Sequence, residues 1–90
     1  MTYRYQATRL FWRHFAALPE TDRAVAMRAW QIFRIDPFDA RLRPHQIRAL
    51  SARYGVTVYS VRVLGDLRAV FYLDGDIVKT LDIGSHRLYR

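Results

Sequence analysis

The apolar positions of this chain change period twice, and those changes mark its elements. Tyr3, Tyr5 and Ala7 alternate with Arg4 and Gln6, the two-residue period of a strand with one covered face. Leu10, Phe11, Phe15 and Leu18 then recur at helical spacing behind Thr8, a residue suited to capping a helix start. That spacing predicts a helix over about residues 9–18. Pro19 ends it and can open a second helix over about 20–35. There Val25, Ala29, Ile32 and Phe33 share one face, with Arg23, Arg28, Gln31 and Arg34 largely off it. Asp36-Pro37 terminates the second helix, because the residue before a proline is pushed out of helical geometry. Two antiparallel helices hinged near Pro19 therefore form a helical hairpin.

Residues 38–54 carry no clear pattern: Pro44 interrupts any continuous helix, and His45 to Ala52 suit a short turn or strand. From Val56 onward the period returns to two. Tyr59, Val61 and Val63 face one side of a strand, and Leu67, Ala69, Phe71 and Leu73 one side of the next. Ile77, Leu81 and Ile83 mark a third. Gly65-Asp66 and Asp74-Gly75-Asp76 are turn sequences, and strands joined by such short turns must run antiparallel. The expected fold is α+β: an N-terminal strand and a two-helix hairpin packed on one face of an antiparallel three- to four-stranded sheet. Its core is expected from Phe11, Phe15, Leu18, Val25, Ala29, Ile32, Phe33, Val61, Phe71, Leu81 and Ile83.

Ninety residues make a single domain, 1–90, large enough for one core. With no cysteine there is neither a disulfide framework nor a thiolate metal site. The apolar runs are far too short for a membrane span, and Met1-Thr-Tyr-Arg-Tyr5 lacks the apolar stretch of a signal peptide. A cytoplasmic location without membrane contact is expected. The formal charge is +7, from 15 basic and 8 acidic residues, with Lys79 the only lysine. Such a field on so small a domain suits a polyanion or an acidic protein, and arginine pairs bidentately with phosphate. From Ala40 to Tyr54 the chain holds Arg41, Arg43, Arg48, Arg53 and His45 with no acidic residue, so the stretch can face a polyanion or an acidic protein segment without self-cancelling charge. A plain solvated face is the competing explanation.

Arg62 and Arg68 flank the Gly65-Asp66 turn. A plain two-residue loop puts them on opposite faces, whereas a bulge or an odd loop puts them on one. Sequence leaves that open, and rim arginines bonded to Asp66 or Asp82 are the alternative to a functional pair. His86 follows Gly84 just past a strand end, where a sharp turn can expose its ring. Histidine can serve as general base and general acid near neutrality, so His86 is a candidate for acid–base catalysis. Tyr89 can stack on an unpaired base and Arg87 can contact phosphate. His14 lies mid-helix between Arg13 and Phe15, in a position typical of a surface residue. Three widely spaced histidines give no ligand-like pairing, so neither metal nor other cofactor is expected.

The run Tyr59-Ser-Val-Arg-Val-Leu-Gly-Asp-Leu-Arg-Ala-Val-Phe-Tyr72, followed by Gly84-Ser-His-Arg-Leu-Tyr89, resembles the RelE/ParE superfamily of toxins from type II toxin–antitoxin systems. Members commonly show an Arg-bearing hairpin and then Gly-Ser-His or Gly-His-Arg near the C-terminus. The resemblance implies a ribosome-dependent, metal-independent mRNA endoribonuclease that arrests translation. Arg62, Arg68, His86 and Tyr89 would be catalytic, and Arg41, Arg43, His45, Arg48 and Arg87 would hold RNA. It also implies a cognate antitoxin in a toxin–antitoxin hetero-oligomer, with the ribosome and mRNA as further partners. The antitoxin is expected to lay an acidic, amphipathic segment over Arg41, Arg43 or Arg48 and beside Arg68. His45, in Pro44-His-Gln-Ile47, and Asp66, about twenty positions before His86, match elements of one ribonuclease branch. The clustered lysines of RelE itself are absent, Tyr59 and Val61 standing on that strand, so the chemistry must differ from the lysine-rich branch. A ParE-like inhibitor of DNA gyrase is the runner-up, and an inactive antitoxin-binding relative the third reading. Gly-Ser-His-Arg rather than Gly-His-Arg leans toward the ribonucleases.

Overall fold

The computed structural model describes residues 2–85 and 88. Along the chain run β1 (Arg4–Ala7), α1 (Arg9–Ala17), α2 (Glu20–Phe33), a 3-10 turn (Ala40–Leu42), β2 (His45–Gln46), α3 (Arg48–Tyr54), β3 (Tyr59–Leu64), β4 (Leu67–Asp74) and β5 (Ile77–Gly84). Thr8 sets the first helix as expected. Its Oγ1 accepts from the Phe11 amide at 3.0 Å and donates to the Leu81 carbonyl at 2.6 Å, so one hydroxyl both caps α1 and ties it to β5. Leu18 leaves α1 in extended geometry and Pro19, at φ −54°, opens α2. Glu20 and Asp22 in the first turn of α2 complement its dipole. At the other end the Tyr5 hydroxyl donates to the Phe33 carbonyl at 2.6 Å, satisfying one of the last acceptors of the helix. Burial raises the Tyr5 phenol above its ordinary pKa, which keeps that donor protonated.

The sheet is larger than the sequence suggested. It has five strands in the order β1-β5-β4-β3-β2, with β1 parallel to β5 and the remaining neighbours antiparallel. Turn chemistry fixes β3, β4 and β5 locally, but β1 and β5 are separated by most of the chain, so no turn sets their parallel pairing. No local signal reports such a pairing. The stretch 38–54 likewise contains an element that its pattern hides. Helix α3 spans two turns, buries only Leu50 and has no side-chain cap at Ile47. So short a segment shows no periodicity, and its readable mark is Gly55, which closes it at φ 72°.

Helices α1 and α2 lie on one face of the sheet, α1 against β5 and α2 against β3. Between them Ala26, Phe33, Leu42, Val61, Ala69, Phe71, Val78 and Ile83 form the main core. A second, smaller cluster of Leu50, Val58 and Val70, joined by Ile47, Leu81 and Leu88, lies where α3 packs on the opposite face. Phe33, Val61, Phe71 and Ile83 are buried as expected, whereas Phe11, Phe15, Leu18, Val25, Ala29, Ile32 and Leu81 are half-buried. Two of these shifts have clear causes. Helix α2 turns Ala26 rather than Val25 inward, so a small side chain sits at its closest approach. In β5, Val70 pairs with Asp82 and Phe71 with Thr80, leaving Leu81 as the extra residue of a bulge. The bulge reverses the phase, so Val78, Thr80 and Ile83 face the main helices while Leu81 joins the cluster under α3.

Candidate nucleic-acid interface

Strand alternation leaves one face of the β3–β4 hairpin outside the main core. Tyr59, Val61 and Val63 of β3 pack toward α1 and α2, as do Ala69 and Phe71 of β4. Ser60, Arg62, Arg68 and Val70 therefore project to the other side. A register shift between Arg62 and Leu64 settles the question that loop length left open. Leu64 pairs with Leu67 across the Gly65-Asp66 turn, Val63 is the extra residue, and Arg62 stands directly opposite Arg68. Arg68 pairs in turn with Gly84 on β5, so Arg62, Arg68 and Gly84 form one row across three strands.

Like charges directly opposite each other in a sheet are destabilising. Neither arginine forms an ion pair with a described carboxylate. Asp82, one of the suggested partners, is occupied by His14 instead. The row is thus a concentration of positive charge on a surface that an anion can approach. The next row of the same face contains His45, Ser60, Val70 and Asp82, which brings β2 alongside. His45 is exposed, and its Nδ1 lies 3.3 Å from the Arg43 carbonyl. A carbonyl only accepts, so this bond selects the tautomer protonated at Nδ1 and leaves Nε2 as the free ring nitrogen.

The basic stretch before β3 is less uniform than its sequence. Arg41 is tied to Asp39, with Nε to Oδ1 at 3.0 Å and Nη2 to Oδ2 at 2.9 Å. These hydrogen bonds lower the Asp39 pKa to about 2 and raise that of Arg41. Arg41 therefore presents a partly neutralised guanidinium, a partner that a count starting at Ala40 overlooks. Arg43 is exposed and sits at φ 49°, ψ 55°, the left-handed region that costs a residue with a Cβ. Arg48 opens α3, where a cation opposes the helix dipole. Neither position is explained by local stability. His86, Arg87 and Tyr89 lie outside the described residues. The neighbouring Leu88 packs in the second cluster, close enough that a Cβ at Gly84 would meet its Cδ2 at 3.3 Å.

Two further features were not expected from sequence. The first is a hydrogen bond of 2.6 Å between His14 Nδ1 and Asp82 Oδ1, joining residues too distant in the chain for any local pattern to report. The second is an apolar groove of about 350 Å³ between α1 and α2, with Trp12, Met27 and Trp30 at its exposed rim and Ala69 and Ile83 on its floor. Among the described residues no cluster of potential ligands can hold a metal ion, and no helix is long and apolar enough to cross a membrane.

The same fold is seen in two solved structures. The chain of known structure from the archaeal RelE-RelB complex of Pyrococcus horikoshii OT3 superposes with a TM-score of 0.71 at 16% identity, over 94% of this chain and 96% of that one. A copper-bound mutant toxin from Helicobacter pylori superposes with a TM-score of 0.68 at 13% identity, over 99% of this chain and 100% of that one. No protein-family model matches the sequence, and no curated protein does. The fold expected from the resemblance is therefore matched over nearly the whole of each chain, at identities that show the fold alone.

Proposed function

We propose that this protein is the toxin of a toxin–antitoxin pair and acts as a metal-independent mRNA endoribonuclease on the ribosome. The observation that carries this reading is the bulge that sets Arg62 opposite Arg68 on the face bare of α1 and α2. Two guanidinium groups facing each other without a described carboxylate are complementary to a phosphate that gains charge as a pentacoordinate phosphorane. His86 lies two residues beyond Gly84, the partner of Arg68 in the sheet, and supplies an acid–base group to the same phosphate. Attack by the 2′-oxygen leaves a 2′,3′-cyclic phosphate and a free 5′-hydroxyl, and Tyr89 stacks on a neighbouring base. Arg43, Arg48, His45 and Arg87 hold the RNA strand along the β2 side and the C-terminal edge, while Arg41 contributes less because Asp39 already engages it.

The antitoxin of this reading covers two surfaces of different character. An acidic segment complements Arg43, Arg48 and the Arg62–Arg68 row, while an apolar helix face suits the Trp12–Met27–Trp30 groove. The test is controlled expression of the chain in bacteria, with transcript ends mapped by primer extension and gyrase supercoiling assayed in parallel. Cut transcripts with normal supercoiling support a ribonuclease. Intact transcripts with inhibited supercoiling point to a gyrase poison. Cells that grow normally, with neither effect, identify a fold that only binds an antitoxin.

A further inference from the structure

The face that carries the arginine row also carries a histidine–carboxylate pair on a different element. His14 projects from α1, beyond the stretch where β1 covers the edge of β5, and meets Asp82 across that edge. Asp82 Oδ1 accepts from His14 Nδ1 at 2.6 Å and from the Ile83 amide at 2.8 Å, so the acceptor is fixed from two directions. The carboxylate is largely buried, at 16% exposure, whereas the imidazole remains 44% exposed. A carboxylate oxygen accepts, so Nδ1 carries the proton, and the lone pair of the neutral tautomer is on Nε2. A buried acceptor that fixes the tautomer of an accessible imidazole is the arrangement by which proteins orient a general base.

The surroundings fit a substrate rather than a simple tie. His14 and Asp82 border a cleft of about 550 Å³ between α1 and α3, whose far wall includes Arg53 and the exposed Tyr54. Leu50 and Leu88 line its apolar part. Asp82 pairs with Val70, and the next row on that face is Arg68 with Gly84. Diagonal neighbours in a sheet are roughly 7–8 Å apart, within reach of an arginine side chain. Tying α1 to the sheet does not require His14, because Thr8 already bonds Leu81.

We infer that His14, positioned by Asp82, is the general base that takes the 2′-hydroxyl proton of an RNA strand lying across the cleft and the Arg62–Arg68 row. This rests on the ribonuclease reading above. The proton moves to His14 Nε2 as the O2′–P bond forms, the P–O5′ bond breaks, and the 5′ oxygen takes a proton from the general acid of that reaction. RNA is thereby converted to a 2′,3′-cyclic phosphate and a 5′-hydroxyl without oxidant or metal. Asp82 acts through His14 and is a positioning residue. Among the described residues, Arg53 and Tyr54 on α3 and Asp82 on β5 are the charged and titratable groups that line the cleft with it.

The test is single-turnover cleavage of a synthetic mRNA bound to purified bacterial ribosomes, measured from pH 5 to 9 on the full chain. Circular dichroism checks the folding of each variant. His14→Gln is expected to cut about 10²–10⁴ times more slowly and to lose the rise of rate with pH on the acidic side. Asp82→Asn should slow cleavage only through His14, so the double variant is no slower than His14→Gln alone. A His14→Gln protein with the wild-type rate, or one that keeps the acidic limb, overturns the assignment while the ribonuclease reading stands. Additive losses in the double variant overturn the positioning role of Asp82. Wild-type protein that leaves the mRNA uncut at every pH overturns both readings.

Discussion

On the side of α1 and α2 the sheet presents Val61, Ala69, Phe71, Val78 and Ile83, closed over by aromatic rings from the helices; on the other it presents Arg62, Arg68, His45 and Asp82. Apart from His45 on β2, both sets come from β3, β4 and β5, whose successive residues alternate between the two faces. The first face is organised for exclusion of water: Phe71 is fully buried, with ring centroids of Phe33, Tyr59 and Phe38 at 5.1, 5.5 and 5.6 Å. The second keeps only a small apolar patch under α3 and gathers like charges that a stability optimum avoids. Period-two alternation lets one hairpin build the core and display the chemistry, so each can vary without the other.

The largest effect separates the faces most cleanly. Phe71→Ala removes a fully buried ring and is expected to cost about 3–5 kcal/mol, read from urea denaturation midpoints. Tyr72, the next residue, points to the other face near Lys79 and is half-exposed, and its replacement by alanine should cost about 1 kcal/mol or less. Equal losses at the two positions would contradict the division.

The sheet assigned by alternation was largely readable. Both helices, Thr8 as cap, Pro19 as hinge and the β3–β5 strands follow from spacing and turn residues. What sequence did not show is what depends on distant partners or on single-residue slips. The β1–β5 pairing joins the ends of the chain, and the bulge at Leu81 reverses the phase of β5 with no glycine or proline to announce it. The bulge at Val63 decided the arginine geometry that the turn sequence left ambiguous, and the His14–Asp82 pair is a product of tertiary packing alone.

A smaller effect concerns Arg43, whose left-handed backbone suits glycine better than arginine. Arg43→Gly should raise stability by up to about 1 kcal/mol, seen as a rise in Tm, while weakening RNA binding measured by filter retention. A loss of stability, or unchanged RNA binding, would remove Arg43 from the interface.

The smallest effect is the titration of the Asp39–Arg41 pair. Asp39 has its folded pKa lowered to about 2 from the ordinary 3.8, so its contribution is complete above that ordinary value and is lost as pH falls toward 2. Carbon-detected NMR should follow the Asp39 carboxyl to a midpoint near 2 in the wild type, returning toward 3.8 in Arg41→Ala. An Asp39 midpoint that does not move on losing Arg41 would mean that Arg41 is available to RNA after all.

If the row of like charges carries function rather than structure, removing one of its arginines should spare the fold and cost activity. The direct measurement is Arg68→Ala, assayed together for unfolding free energy and for cleavage of ribosome-bound mRNA. Stability within about 0.5 kcal/mol of wild type, or slightly higher as the facing charges are relieved, is expected together with a fall in cleavage of about 10² or more. Unchanged cleavage by a folded Arg68→Ala protein would contradict the claim that the face of the β3–β4 hairpin away from α1 and α2 is where RNA is cut.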